Sequence, residues 1–211
     1  MTTTHRAEVK EELRFEALKV VVLKKMTTVP ALAETGGIGL RDAEAAIEEL
    51  AASGHVASVG GHLIPTPAGE ARVRAYADQR YGWLRADPAV ERWRARFETL
   101  NRRFLETLTA WETVQVGDTS VPNDHRDLEY DTRVISRIEA LVVRVTELLY
   151  ELADKVPRMA RYRQRLEAAM DKIDHGDLRF VSDSGVDSTH TVWVEMHEAL
   201  LIVLGRQREG Q

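Results

Sequence analysis

Apolar residues recur at three- and four-residue spacing over most of the chain, which is the period of helices with one buried face. Val9, Leu13, Leu18, Val21 and Val22 predict a first helix over about residues 6–25, ending on Lys24-Lys25, where cations suit a helix C-terminus. Thr27 or Thr28 caps a short second helix with Pro30 in its first turn, and Gly36-Gly37 closes it. A third helix spans about residues 40–53, with Ala43, Ala46, Ile47 and Leu50 inward and Gly54 as its stop. The period then changes. Residues 55–59 and 62–65 are short extended runs around Gly60-Gly61 and predict a β-hairpin, after which Thr66-Pro67-Ala68-Gly69-Glu70 opens a helix to about residue 80. Beyond a hinge at residues 82–88 the pattern becomes long and helical. Trp93, Phe97, Leu100, Phe104, Leu108 and Trp111 form one stripe of a helix over residues 89–114. A polar loop over residues 115–122 follows, then helices over about 123–154, 159–174 and 187–206. The stretch 175–186 is rich in Gly, Asp and Ser, with residues 178–181 packed or briefly extended.

Three helices, a hairpin and a helix follow one another in the order of a winged helix-turn-helix. The run AIEELAASGHVASVGGHLIPTPAGEARV resembles the end of a recognition helix, the turn into a wing, and a T-P-A-G start to the next helix. The resemblance to winged helix-turn-helix transcriptional regulators covers about the first 80 residues. The expected fold is therefore mainly α: an N-terminal winged helix-turn-helix domain with a small β-hairpin over residues 1–84, then an all-α helical bundle for effector binding or dimerisation over 89–211.

The 211 residues suffice for two modest domains, and a chain 44% hydrophobic and 30% charged has the composition of a core-forming protein. The absence of cysteine excludes disulfides, thiolate metal sites and cysteine nucleophiles. No run approaches the ~18 apolar residues of a membrane span, and residues 1–20 carry charges every few positions, unlike a signal peptide. A cytoplasmic protein without membrane contact is the expectation. The net charge of −5 falls entirely in the later part, since residues 1–85 hold 11 basic and 11 acidic groups. Any contact with double-stranded DNA must therefore come from a local patch.

The resemblance implies that the third helix enters a major groove. Arg41 is its one base-reading cation, and Asp42, Glu44, Glu48 and Glu49 accompany it. Further phosphate contacts are expected from Lys24, Lys25, Thr28, Arg72 and the wing's His62, with Arg74 nearby and a homodimer doubling the set. The acidic third helix equally suits a protein-contact module.

Two helix starts in the later part place ionisable groups on faces that lead into apolar stripes. At about 100° per residue, Asp124, Asp127 and Asp131 fall within about 60° of one another, ahead of Val134, Ile138 and Val142. Asp187, His190 and His197 share a side with Val194, Leu201 and Leu204 on the last helix. Buried carboxylates need partners, so these groups meet each other, a cation, water or a ligand. Three readings stay open: helix caps and buried pairs, a small-molecule pocket, or a divalent metal held by Asp127, His190 and His197. The two histidines stand about 10.5 Å apart in rise and need ligands reaching between them. A pocket would also draw on Asn101, His125, Tyr130 and Trp193, although the aromatic residues equally suit the core.

The strings NDHRDLEYD, YRQRLEAAMDKIDHGDLRF and DSTHTVWVEMHEALLIVLGR resemble an actinobacterial helical domain found in regulator-like proteins and beside phosphoenolpyruvate-utilising enzymes of the pyruvate phosphate dikinase type. The dikinase's nucleotide-binding region and barrel have no counterpart here, so the resemblance implies no transfer activity. The overall plan is similar to that of GntR-type regulators, which sense carboxylates. No Walker A, dinucleotide-binding glycine pattern, nucleophile elbow or His-Glu-x-x-His occurs. The sequence thus predicts a DNA-binding transcriptional regulator whose helical domain senses a small molecule or metal. The alternative is an accessory protein or enzyme whose winged helix makes protein contacts and whose helical domain holds a polar pocket.

Overall fold

A computed structural model describes residues 3–206, with side chains from Glu8 onward. It is mainly helical, and its described residues divide into two compact units, one of residues 3–86 with 197–206, the other of residues 87–196.

The first unit begins with α1 (Thr3–Lys24), α2 (Val29–Gly36) and α3 (Leu40–Ala52). Thr28 caps α2 by accepting from the Ala31 amide, and Gly37 closes it in the left-handed region at φ 59°. α3 buries Ala43, Ala46, Ile47 and Leu50 against α1 and α2, the face its spacing predicts. Strands β1 (Val56–Val59) and β2 (His62–Pro65) pair antiparallel around Gly60-Gly61, both at positive φ. Thr27 adds one more pairing, exchanging backbone hydrogen bonds with Leu63 (3.1 and 2.7 Å). Thr66 then caps α4 (Pro67–Tyr81) through the Gly69 amide. Phe15, Leu18, Val21, Leu32, Leu50, Leu63 and Val73 supply the core. Val9, expected inward on the first helix, is exposed. The end of α9 (Thr189–Leu204), from His197 on, belongs to this unit and buries Ala199, Leu200, Val203 and Leu204.

The second unit is built on two long antiparallel neighbours, α5 (Pro88–Glu112) and α6 (Leu128–Ala153). Asp87 caps α5 through the Ala89 amide, with Pro88 in its first turn. All six residues of the predicted aromatic-aliphatic stripe are buried. They meet Val134, Ile138, Leu141, Val145 and Leu148 of α6, and α7 (Ala160–Asp174) packs against α6. The polar loop expected at residues 115–122 is instead a second antiparallel hairpin, β3 (Thr113–Val116) with β4 (Thr119–Pro122). The helix expected from residue 123 starts only at Leu128, and residues 175–186 contain a short helix, α8 (Arg179–Ser182), that buries Val181. No helix among the described residues is long and apolar enough to cross a membrane.

Candidate functional site

On the first unit, α3 presents Leu40, Arg41, Asp42, Glu44, Ala45 and Glu48 to solvent. Arg41, Asp42, Glu44 and Glu48 make no ion pair among the described residues, whereas Glu49 is held by Arg14 at 2.8 Å and by Lys10. This face therefore carries three unpaired carboxylates to one guanidinium. The other sequence-predicted DNA contacts are distributed around it. Thr28 serves α2 as its cap, His62 Nδ1 meets the Gly60 carbonyl at 3.2 Å, Lys25 pairs with Glu70 at 2.9 Å, and Arg72 pairs with Glu11 at 2.9 Å. Lys24 ends α1, half-buried.

In the second unit the first acidic helix start is dismantled. The chain leaves β4 with the Asn123 amide bonded to the Glu112 carbonyl at 2.8 Å, and His125 turns it through the left-handed region at φ 55°. Asp124, Asp127 and Asp131 consequently do not share one helical face. Asp124 is exposed and accepts from the Arg126 amide, while Asp127 is the N-cap of α6, accepting from the Tyr130 amide at 2.9 Å. Asp131 alone turns inward, only 4% exposed.

Around Asp131 forms a compact polar cluster. Asn123 Nδ2 donates to Asp131 Oδ1 at 2.8 Å and to the Trp111 carbonyl at 3.0 Å, which uses both its hydrogens. His125 Nδ1 lies 3.0 Å from Asp131 Oδ2, a contact that requires the proton on Nδ1. The imidazole rests against the Trp111 ring, centroids 4.3 Å apart, and Tyr130 donates its hydroxyl to the Ala110 carbonyl at 2.7 Å. A half-exposed histidine is thus oriented by a buried carboxylate, an arrangement suited to hydrogen bonding or proton exchange at the ring's other nitrogen.

The second helix start resolves differently. Ser188 caps α9 through the Thr191 amide, and Asp187 forms a two-pronged pair with Arg165, both contacts at 2.8 Å. A second carboxylate, Glu195, reaches Arg165 Nη1 at 2.8 Å, with both of those side chains 7% exposed. Burial opposes the Arg165 charge, but Asp187 and Glu195 outweigh it and hold the guanidinium above its ordinary value. Asn101 accepts from Trp193 Nε1 at 3.0 Å inside the core, where Trp193 stacks on Phe104 with centroids 3.9 Å apart. His190 is half-buried in the second unit, and His197 falls in the first.

The named polar residues therefore separate into the Asn123–His125–Asp131 cluster, the Arg165–Asp187–Glu195 triad and the Asn101–Trp193 pair. No group of three or more His, Asp or Glu side chains disposed to hold a metal occurs among the described residues. Asn123, Arg165 and Glu195 are the members that sequence reasoning missed. Arg165 carried a signal, since it interrupts the apolar run of Tyr162, Leu166 and Ala169 on α7. Comparison of the chain with known protein families, with curated proteins and with solved structures gave no match.

Proposed function

We propose that the chain is a transcriptional regulator whose first unit is a winged helix-turn-helix contacting double-stranded DNA and whose second unit senses a small molecule or metal. The observation that carries this reading is the order of elements in the first unit: three helices, a glycine-tipped hairpin and a capped helix, with Thr27 paired to Leu63. In that arrangement α3 and the β1–β2 tip are the groove-facing parts. Arg41 supplies an exposed cation in the first turn of α3, and His62 stands beside the hairpin tip. Lys25 and Arg72 are held only by exposed ion pairs, which contribute little and exchange readily for phosphate. The sensing role rests on the second unit's half-exposed His125, fixed by Asp131 beside Trp111. A homodimer would present two α3 helices to two half-sites, with exposed Val143 and Tyr150, two turns apart on α6, as candidate contacts.

Fluorescence anisotropy with duplexes from upstream of its own gene, titrated with salt, tests the reading. Submicromolar, sequence-selective binding with a steep salt slope is expected, and Arg41→Ala reduces selectivity whereas Lys25→Ala weakens all duplexes alike. A second reading is favoured by Asp42, Glu44 and Glu48, which repel phosphate: the same face would contact a basic protein in an accessory complex. Binding no tighter than to random duplex, with a shallow slope, decides for that second reading.

A further inference from the structure

In the second unit β3 and β4 form a two-stranded sheet with no further strand on either side among the described residues. A hairpin of that kind is marginal in water unless a third strand or a packed face supports it, yet its strands are exposed or half-exposed throughout. Its register fixes which backbone groups are open. The Asn123 amide donates to the Glu112 carbonyl, so that pair is hydrogen-bonded, and by the alternation of antiparallel ladders Val114–Val121 and Val116–Thr119 are too. Thr113 and Gln115 on β3, and Ser120 and Pro122 on β4, therefore turn their backbone groups outward. The two edges differ. Pro122 removes a donor from the β4 edge, a device by which edge strands refuse a partner. The β3 edge has no such guard, since residues 113–117 read Thr-Val-Gln-Val-Gly, without proline or charge in a chain that is 30% charged. The Thr113 amide is already given to the Thr109 carbonyl, which leaves Gln115 as the β3 residue with both N–H and C=O open.

We propose that the β3 edge is a self-association surface, pairing antiparallel with the β3 edge of a second copy about a twofold axis at Gln115. Antiparallel pairing is the arrangement in which one residue exchanges both hydrogen bonds with its own copy, and Gln115 is the β3 residue able to do so. The same register sets Val116, 62% exposed, opposite Val114 of the second copy, in a non-hydrogen-bonded pair whose side chains come closest. Moving the axis by one residue would set inward-directed backbone groups against each other. A second copy is the partner that β3 itself specifies, because it matches valine to valine on both sides of the axis and calls for no charge complement. The product is a four-stranded sheet in the order β4-β3-β3-β4. It ends on both sides at the proline-bearing edge, so it closes at two copies. Four residues a side bury less than the ~1,200 Å² of a standard interface, so the pairing is reversible, with a dissociation constant of about 10–100 μM. The surface is distinct from Val143 and Tyr150 on α6. The inference goes beyond the regulator reading and stands whether the α3 face meets DNA or protein.

The chain has no cysteine, so a single introduced thiol reads out the pairing. Across a hydrogen-bonded antiparallel pair the Cα atoms stand about 5.5 Å apart, within disulfide reach. The full chain carrying Gln115→Cys, oxidised at about 100 μM, is expected to form a disulfide-linked dimer at least tenfold faster than one carrying Ser120→Cys, which is also exposed but lies on the β4 edge. Val116→Lys added to the Gln115→Cys chain slows the cross-link at least tenfold, and circular dichroism checks that each variant is folded. Sedimentation velocity of the unsubstituted chain should show a dimer that grows with concentration. Equal rates at the two edges, faster cross-linking through Ser120→Cys, or a rate untouched by Val116→Lys overturns the proposal. So does an unsubstituted chain that stays monomeric at about 0.5 mM, well above the expected dissociation range. Neither readout involves DNA, so failure of the pairing and failure of the DNA reading are told apart.

Discussion

Gly69 illustrates how a single position fixes the geometry of the first unit. A Cβ at this position would stand 2.1 Å from the His55 carbonyl oxygen, a backbone atom in the turn between α3 and β1. That turn has no slack. The Thr66 amide donates to the same carbonyl at 3.1 Å, the Thr66 hydroxyl donates to the Gly54 carbonyl at 2.7 Å, and the Gly69 amide returns to Thr66 Oγ1 at 3.1 Å. Gly69→Ala must therefore push the start of α4 away from the hairpin, and we expect a loss of about 3 kcal/mol in urea unfolding. Thr66→Ala, which removes the cap without a clash, should cost about 1 kcal/mol. An alanine variant within about 0.5 kcal/mol of the unsubstituted chain would show that the turn yields. The sequence marks Gly69 as part of a helix opening, but the demand for glycine comes from a carbonyl far along the chain and leaves no local trace. The same holds for His125. Its left-handed backbone, uncommon outside glycine, follows from where Asn123 and Asp131 anchor the chain on either side.

At the scale of elements, the helices and the first hairpin were legible because one face of each is buried. The period of apolar residues then records the element directly, as in α5, whose stripe from Trp93 to Trp111 is all core. The second hairpin escaped because its strands are exposed or half-exposed along their whole length, so no apolar face imposes alternation. The late start of α6 has a related cause. Asp124 and Asp127 satisfy helical spacing, but an aspartate that caps a helix cannot also lie within it. The buried triad was half legible, since Asp187 stood out and its partner Arg165 did not. It also carries a stability prediction for the α7–α9 pairing. Arg165→Met leaves Asp187 and Glu195 without their shared cation, and loss of one partner of a buried pair costs about 3–5 kcal/mol. Asp187 is 39% exposed and can be rehydrated, which places the expected cost at the lower end. The double variant Arg165→Met/Glu195→Leu should recover much of it, because the remaining buried charge goes with the glutamate. Urea unfolding of both variants decides the point, and a double variant no more stable than the single one would remove Glu195 from the account.

For the molecule as a whole, titration limits stability at both ends of the pH range, and for different reasons. On the acid side, Glu49 and Glu70 in the first unit and Asp87 and Asp177 in the second are held below their ordinary values by Lys10, Lys25, Lys155 and Arg179. A depressed carboxylate contributes stability that is complete above its unfolded value and lost as pH falls through the folded one, so the first unit should weaken below about pH 4.5 and the second below about pH 3.8. All four pairs lie at or near the surface, so each contribution is small and added salt should reduce the slope. On the alkaline side the first unit stands apart. Tyr81, 5% exposed at the end of α4, is pushed from 10.0 up to about 12, chiefly by burial and then by the Glu16 and Glu12 charges, with Arg80 opposing. A tyrosine with a raised folded pKa stabilises fully below its unfolded value, and that contribution disappears as pH rises from 10 to about 12. The absorbance of tyrosinate, followed against pH, should therefore show a late phase beyond the ordinary tyrosine range, and Tyr81→Phe should abolish it. The same substitution should flatten the fall in thermal midpoint between pH 10 and 12 while leaving the acid limb unchanged. If the late phase persists in Tyr81→Phe, the buried hydroxyl belongs to another tyrosine, and Tyr76, raised by its own burial against Phe15, is the next to substitute.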